Sequence, residues 1–337
     1  MKRGFAVVSL LVALLAGCSS HPSTPLAAIT PSTAGAATAS PSSTSAARAL
    51  VRPPAWSLGA PVPRAVSEVG VALLGTQVHV VGGYVDGRPR STTHLVLETT
   101  TGRWHAAAAL PRALDHVGAV ALDGRLGAIG GYGAVAGGTS GAYAWDPSTD
   151  RWTSKAPLPD RRAAGVAVVL AGKIHYVGGT SAGRDVAEHD VYDPRTDRWS
   201  TAAPMPTARD HAAAAVVDGR IYVAAGRPHD LSVLEAYDPV TDTWTTLPPL
   251  PLGRSSPAGA ALRGHFVVLG GEHPGESGVD TEVDAYGPTT RRWTRLPDLP
   301  SGRQGIGAAA VAGRLYVPGG GPTGGGSRQS DQLLVLG

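Results

Sequence analysis

Cysteine is almost absent from this sequence: one residue among 337, Cys18. Disulfide bonds therefore cannot stabilise any domain that follows it. Long hydrophobic runs are also scarce. The apolar run from Phe5 to Ala16 holds about a dozen residues, whereas a membrane-spanning helix needs roughly 20. No segment with the hydrophobic period of a helix follows residue 17, which favours a fold built from strands.

The motifs of several common enzyme classes are missing as well. The sequence contains no Walker-type phosphate loop, no Gly-x-Ser-x-Gly elbow and no His-Glu-x-x-His zinc motif. Its glycine runs stand at predicted strand ends or in loops, so they do not form a nucleotide-binding fingerprint. No motif therefore indicates an enzyme.

The N-terminal segment has the features of a secretory signal. Lys2 and Arg3 precede the short apolar run, as in a signal peptide. The run ends in Leu15-Ala16-Gly17-Cys18, which resembles the lipobox of bacterial lipoproteins. This resemblance implies a signal peptide over residues 1–17 and a lipid on Cys18. The mature protein is then expected on the outer side of the bacterial cell membrane, anchored by that lipid.

Residues 18–52 are predicted to be a lipidated, disordered tether. From residue 19 the segment is dominated by Ser, Thr, Ala and Pro and has no aromatic residue, so it cannot bury enough apolar surface to fold. Loss of Lys2 and Arg3 with the signal lowers the formal charge from +3 to +1, because residues 1–17 contain no acidic residue. No nucleic-acid partner is expected at that charge.

The remainder, residues 53–337, consists of repeats. Tryptophan recurs at intervals of 48, 48, 47, 45 and 49 residues. The repeat tryptophans are Trp56, Trp104, Trp152, Trp199, Trp244 and Trp293. A glycine pair recurs at the same period, with Ala225-Gly226 as its one variant. Two independent marks at one period indicate a single repeated supersecondary unit.

Each repeat predicts four short strands. In the clearest one, the apolar run 210–217 ends at Asp218-Gly219, a strong signal for a two-residue hairpin turn. A second apolar strand leads into the glycine pair, and a third ends at Tyr237. The fourth strand carries Trp244, seven residues after that tyrosine.

These residues resemble the kelch repeat, and the resemblance covers residues 56–337. It implies an all-β, six-bladed β-propeller over residues 53–337. The sixth repeat lacks a tryptophan strand, and Trp56 lies ahead of the first complete repeat. We therefore predict that the strand of Trp56 completes the last blade and closes the ring, which removes exposed sheet edges. A monomer is expected.

Kelch-like propellers bind ligands at a mouth formed by the loops that enter each inner strand and the loops between second and third strands. At one phase of the repeat stand Arg162, Arg209, Arg254 and Arg303, against Ala65 and Leu114 in the first two repeats. Two residues further stand Ser67, His116, Ala164, His211, Ser256 and Gly305. We predict that the four arginines, with His116 and His211, bind a small anion, because guanidinium groups suit carboxylate or phosphate recognition.

Two other interpretations concern these residues: a framework role for the arginines, which stays open, and a metal site that includes the histidines, which is not favoured. The arginines could instead bond loop carbonyls and acidic neighbours as part of the framework. A metal site built from His116, His211, His229, His273 and Glu272 is not predicted, since no spacing brings them together. No cofactor is predicted.

Binding is favoured over catalysis as the function. We expect an exported module that holds a small anionic or carbohydrate ligand or a partner protein. The alternative is a carbohydrate-active enzyme similar to sialic-acid mutarotase, which also uses a six-bladed kelch propeller. A copper-radical oxidase of the galactose oxidase type is excluded, because its cofactor needs a cysteine that this domain lacks.

Overall fold

The computed structural model describes residues 54–134, 137–273 and 278–337, and its regular structure is almost entirely β-strand. A compact unit spans Arg52–Gly337. The predicted signal peptide, Cys18 and the predicted tether lie outside the described residues. Within the ranges that are described, no helix is both long and apolar enough to cross a membrane.

Each repeat folds into a four-stranded antiparallel sheet, because short apolar strands alternate with tight turns. We number these blades in chain order. Blade 1 contains β3 (Gly70–Leu74), β4 (Gln77–Val81), β6 (His94–Glu98) and β7 (Arg103–Ala106). Blade 2 contains β8 (Gly118–Leu122), β9 (Arg125–Ile129), β10 (Ala142–Asp146) and β11 (Arg151–Ser154). Blade 3 contains β12 (Val166–Leu170), β13 (Lys173–Val177), β16 (His189–Asp193) and β17 (Arg198–Ala202).

The second half of the chain repeats this arrangement. Blade 4 contains β18 (Ala213–Val217), β19 (Arg220–Ala224), β20 (Leu234–Asp238) and β21 (Thr243–Leu247). Blade 5 contains β22 (Ala258–Leu262), β23 (His265–Leu269), β24 (Val283–Gly287) and β25 (Arg292–Arg295). Blade 6 contains β26 (Ala309–Val311), β27 (Arg314–Pro318), β28 (Leu333–Leu336) and β1 (Trp56–Leu58). Short ladders join β2 (Val66–Ser67) to β5 (Tyr84–Val85) and β14 (Thr180–Ser181) to β15 (Arg184–Asp185), and Gly324–Gly326 form a 3-10 turn.

The predicted closure of the ring is confirmed. The first strand, β1, pairs antiparallel with β28 and places Trp56 opposite Leu336. The inner strand of blade 6 also contacts the inner strand of blade 1, so each blade has a neighbour on both sides. The ring is therefore closed by one blade made from both ends of the described chain.

Trp56 is equivalent to the other five repeat tryptophans, although all six are half-buried rather than fully buried. Each indole Nε1 donates to a backbone carbonyl just after the outer strand of the preceding blade, at 2.8–3.0 Å. The acceptors for Trp56, Trp104, Trp152, Trp199, Trp244 and Trp293 are the carbonyls of Pro297, Ala60, Ala108, Ala156, Ala203 and Pro248. The repeated tryptophan thus fastens neighbouring blades together.

The hydrophobic core lies between blades rather than at the centre of the ring. Six of the seven hydrophobic clusters among the described residues join the faces of two adjacent sheets, as where Val267 and Leu269 of blade 5 pack with Leu315 and Leu334 of blade 6. The inner strands line the central channel with small apolar residues, among them Ala119, Ala214 and Gly259. Small side chains keep that channel open.

The second glycine of each pair is required by close backbone contact. Gly131 has φ of 94°, and a Cβ there would lie 2.6 Å from the carbonyl oxygen of Asp115. Gly226 stands in the same relation to Asp210. A Cβ on the first glycine would also lie 2.5–2.7 Å from a carbonyl oxygen, but its φ of 61–69° is one that Ala225 adopts in its place, at 65°. The pair therefore lets the second strand pass directly beside the entrance of the inner strand.

Blades 1 and 3 each contain a buried pair of histidines, one on the second strand and one on the third. The ring nitrogens of His79 and His94 lie 2.9 Å apart, and those of His175 and His189 lie 2.8 Å apart. Burial lowers the pKa of His79 to about 3 and the pKa values of the other three to about 4. All four are therefore neutral in the folded protein near pH 7.

We expect these pairs to make the fold sensitive to acid. The unfolded chain binds a proton at each histidine below about pH 6.5, whereas the folded protein does not until about pH 4. Stability is therefore lost as the pH falls through this window, by up to about 1.4 kcal/mol per pH unit for each histidine. Urea unfolding at pH 7 and pH 5 measures the loss.

A matched control exists in blade 5, where Val267 and Val283 occupy the equivalent positions. The double variant His175→Val/His189→Val should unfold with a shallower pH dependence. The nearest charged groups, Lys173 at His175 and Asp242 and Arg162 at His189, are unchanged in it. An equal pH slope in the parent and this variant would contradict the assignment.

Candidate functional site

One residue from each blade lines the neck of the channel, just before the inner strand begins. All six have left-handed backbone conformation, with φ between 49° and 58°. These channel-ring residues are Glu68, His116, Ala164, His211, Ser256 and Gly305. Their positions agree with the predicted phase in five blades.

A closed circle of backbone hydrogen bonds holds the channel ring. Each N–H donates to the carbonyl of the equivalent residue in the preceding blade, from His116 to Glu68 at 3.0 Å and from Glu68 to Gly305 at 2.7 Å. The other four bonds follow the same pattern at 3.0–3.2 Å. The backbone groups are thereby satisfied within the ring, and the side chains are free to face the channel.

Glu68 is a channel-ring residue that the sequence reasoning missed in favour of Ser67. Counting from the turn glycine misplaces the first repeat by one residue. Gly75 is the first residue of its turn, whereas Gly124 is the second, after Asp123. Aligning the glycine pairs, Gly82-Gly83 with Gly130-Gly131, gives the correct phase from the sequence alone. The correction puts a carboxylate in the channel where a hydroxyl was expected.

Glu68, His116 and Asp115 form a buried chain of charged groups. His116 Nε2 lies 3.0 Å from Glu68 Oε2, and His116 Nδ1 lies 2.7 Å from Asp115 Oδ1. Burial by itself would lower the pKa of His116, but the two carboxylates raise it to about 10. Burial would likewise raise the pKa of Glu68, but the charge of His116 and its hydrogen bond lower it to about 2. This chain is therefore an ion pair at neutral pH.

His211 lies across the channel from these charged groups and contacts His116. Its ring centroid lies 4.9 Å from that of His116, and its Nδ1 lies 2.9 Å from Asp210 Oδ1, although off the line of the N–H. Burial opposes ionisation of Asp210, but the contact with His211 lowers its pKa. An Asp-His dipeptide thus occupies the same place in blades 2 and 4.

Two half-buried tyrosines surround His116. The ring of Tyr132 lies 5.2 Å from it, and that of Tyr84 lies 5.9 Å away, both edge to face. Burial and the nearby carboxylates raise the pKa of Tyr132 to about 12, so its hydroxyl stays protonated. The neck of the channel therefore combines aromatic rings with ionised groups.

The surrounding mouth carries more acidic than basic groups. Arg227 bonds the buried carboxylate of Glu272 at 2.7 Å, and Arg90 lies 3.9 Å from Asp115. Burial and the charge of Asp210 raise the pKa of Asp185. The carboxylates are those of Glu68, Asp115, Asp185, Asp210 and Glu272, against the cations of Arg90, His116 and Arg227. Among these groups nearest the channel neck, carboxylates therefore outnumber cations.

The arginine part of the predicted anion site is wrong. Arg162, Arg209 and Arg254 are buried and pair with Asp190, Glu235 and Asp284 in the third strand of their own blades. Arg303 is buried as well and bonds the side chain of Gln332. None of the four guanidinium groups is among those that line the channel neck. They belong to the blade framework.

The sequence contains a signal for this framework role. Where the repeat has the arginine, blades 3 to 5 have an acid two residues before the repeat tyrosine, as Asp190 precedes Tyr192. Blades 1 and 2 have apolar residues at both positions, Val66 with Leu95 and Leu114 with Tyr143, all buried. The residue at the arginine position in blade 1 is therefore Val66, not Ala65. In these five blades the two positions change together because they are in contact, whereas in blade 6 Arg303 is combined with Leu334 and bonds Gln332 instead.

The structure brings His116 and His211 together but keeps apart from them the other residues that were considered, and not predicted, as metal ligands. His229 is exposed. His273 lies 3.1 Å from both Asp230 and Asp280, and Glu272 is paired with Arg227. Within the described residues, the group of side chains close enough to share an ion is Glu68, His116 and His211.

Comparison with known proteins agrees with this architecture. Residues 47–226, more than half of the chain, match the family model of the KLHDC2/KLHL20/DRC7 Kelch-repeats domain, and residues 208–251 match the Kelch motif. The chain therefore belongs to the kelch-repeat β-propeller family.

A solved structure, that of YjhT, superimposes with a TM-score of 0.72 at 19% sequence identity. The match covers 81% of this chain and 95% of that one. At this identity the likeness shows the fold alone. No curated protein matches the sequence.

Proposed function

We propose that this protein is an exported, lipid-anchored binding protein that holds a small hydroxyl-rich ligand, such as a carbohydrate, at the channel mouth. The observation that carries the proposal is the combination of Tyr84 and Tyr132 with Glu68 and His116 at the channel neck. Small-molecule sites are concave and carry a few convergent polar groups among aromatic ones.

The chemistry of the mouth suits sugar hydroxyls better than an anion. Carboxylates such as Asp185 and Asp210 accept hydrogen bonds from hydroxyl groups, and Arg227 donates them. Tyrosine offers a ring face to the apolar side of a sugar and a hydroxyl to its polar edge. The excess of carboxylates around the channel neck repels a negatively charged ligand. A neutral polyhydroxylated ligand is therefore favoured over an acidic one.

Calorimetric titration of the full chain with neutral sugars, uronic acids and sialic acids tests the proposal. Tyr132→Ala should weaken binding of a neutral sugar at least tenfold. The control is Arg195→Ala, an exposed change in the turn between β16 and β17. Failure of every sugar to bind, or equal binding by Tyr132→Ala, would overturn the proposal. Binding restricted to acidic sugars would overturn the preference for a neutral ligand.

A second candidate is catalysis of sugar mutarotation. It is favoured by the Glu68–His116 contact of 3.0 Å, which places an acid and a base side by side at the channel neck. Mutarotation needs proton transfer to and from the ring and hydroxyl oxygens. Exchange spectroscopy of the two anomers would detect it, and Glu68→Gln should abolish the acceleration.

The location of the protein rests on the N-terminal residues. The lipobox-like Leu15–Cys18 sequence supports attachment of lipid to Cys18. Metabolic labelling with a fatty-acid probe should mark the parent and not Cys18→Ala, which would stay unprocessed while the propeller still folds. Equal labelling of the two proteins would exclude a lipoprotein.

A further inference from the structure

We propose that Glu68, His116 and His211 together bind one divalent transition-metal ion at the channel neck. The three residues come from blades 1, 2 and 4 and converge on the channel axis. Their ligand atoms, one from each residue, all lie within 4.8 Å of one another. This inference does not depend on a sugar being the ligand of the mouth.

A carboxylate stands against Nδ1 of each imidazole, as a hydrogen bond at His116 and off the line of the N–H at His211. Asp115 and Asp210 contact the Nδ1 atoms of His116 and His211, at 2.7 and 2.9 Å. The Nε2 atom is then the one left for a metal. Histidine ligands in proteins characteristically hold their second nitrogen against a carboxylate in this way. The repeated Asp-His dipeptide supplies the same arrangement from two blades.

His211 gives independent support. Its side chain is only 7% exposed, and its Nε2 has no hydrogen-bond partner in the part of the chain that the structure describes. This Nε2 is not sealed in the core, so a ligand can reach it from the channel. One ring nitrogen of His211 lies within 4.8 Å of the ligand atoms of Glu68 and His116.

Blade 6, which adjoins blade 1 in the ring, makes room for the carboxylate of Glu68. A Cβ at Gly305 would lie 2.4 Å from Glu68 Oε1, so any side chain there would displace the carboxylate. The remaining channel-ring residues, Ala164 and Ser256, are also small. Three ligands thus reach into the neck from blades 1, 2 and 4, and the small residues of the other three blades leave space beside them.

The donor set indicates the kind of metal. Two imidazoles and one carboxylate with an open position suit zinc, and they also suit iron(II), cobalt(II) and related ions. The carboxylates of Glu68, Asp115 and Asp210 offset the charge of a bound dication, which takes the place of the proton between His116 and Glu68. Zinc and cobalt are therefore the probes of choice.

The test uses the full chain without a histidine tag, stripped of metal and carrying Cys18→Ser in every arm to remove the only thiolate. Calorimetry should show one equivalent of Zn²⁺ bound in the micromolar range or tighter. Co²⁺ should produce visible d–d absorption bands. No binding of either ion by this protein, or binding without a fixed stoichiometry, would overturn the proposal.

Variants assign the site to its residues. His211→Ala and Glu68→Gln should each weaken Zn²⁺ binding at least tenfold, and Asp210→Asn should weaken it by about 10–100-fold through its effect on His211. The matched control is His229→Ala, an exposed histidine of the same face, which should bind as the parent does. Circular dichroism checks folding, and the conservative Glu68→Gln serves if His211→Ala fails to fold. Parental affinity in the folded ligand variants would overturn the assignment.

Discussion

Removal of residues 54–59 from the full chain should leave a propeller that cannot close. The deletion takes away β1, its ladder to β28 and the indole of Trp56, which donates to Pro297 at 2.8 Å. It also uncovers Leu334 and Leu336, which are buried in the core between blades 5 and 6. Loss of a fully buried tryptophan costs about 3–5 kcal/mol. Trp56 is only half-buried, but the deletion also removes the rest of the strand and its ladder, so we expect a loss of at least that size.

We expect a melting temperature lower by roughly 10 °C or more, since 1 kcal/mol corresponds to about 2–4 °C in domains of this size. Ser57→Ala is the control, because it removes only one long hydrogen bond of 3.3 Å from the same strand. A deletion protein that melts within a few degrees of the parent would show that β1 does not close the ring.

The second large effect concerns the buried pair of Arg209 and Glu235. Both side chains are essentially inaccessible, and Arg209 Nη2 lies 3.0 Å from Glu235 Oε2. Burial lowers the pKa of Arg209 even though Glu235 opposes that shift. Arg209→Ala should lower the free energy of unfolding by about 3–5 kcal/mol, because it leaves a buried carboxylate without its counter-charge.

Blade 1 supplies the apolar version of this pair, Val66 with Leu95, at the same two positions. The double variant Arg209→Leu/Glu235→Leu should therefore be more stable than either single change, although Thr207 loses its hydrogen bond to Glu235. Urea unfolding of the four proteins forms a double-mutant cycle. Losses that simply add would contradict a direct interaction between the two residues.

The repeat made the fold predictable from the sequence. Tryptophans and glycine pairs at one period fix the number of blades, and the missing sixth tryptophan strand identifies Trp56 as the closing element. Both marks are local and report backbone geometry that recurs in every blade. The closure of the ring follows because the sixth repeat lacks its fourth strand and the strand of Trp56 belongs to no other repeat.

The site was less accessible to sequence reasoning, because equal phase does not fix where a side chain points. The arginines share a phase with one another, but their guanidinium groups turn into their own blades. Three of them face acids 26–30 residues later in the chain, and Arg303 faces Gln332. His116 and His211 do face the channel, because the left-handed backbone at their positions turns them inwards. Glu68 was missed because the turn glycine of the first repeat, Gly75, is the first residue of its turn and not the second. The position of that glycine alone cannot reveal this difference.

The closing strand also has a consequence for how the molecule folds. Ser57 and Val335 are 278 residues apart in the chain, yet they are partners in one ladder. Blades 1 to 5 can each form from contiguous segments as the chain is synthesised, but blade 6 cannot be completed until β28 exists. Until then the edges of β1 and of the growing ring stay unpaired and open to association with other chains. Ring closure is therefore a late, high-contact-order step, and the interval before it is when the chain is most exposed to aggregation.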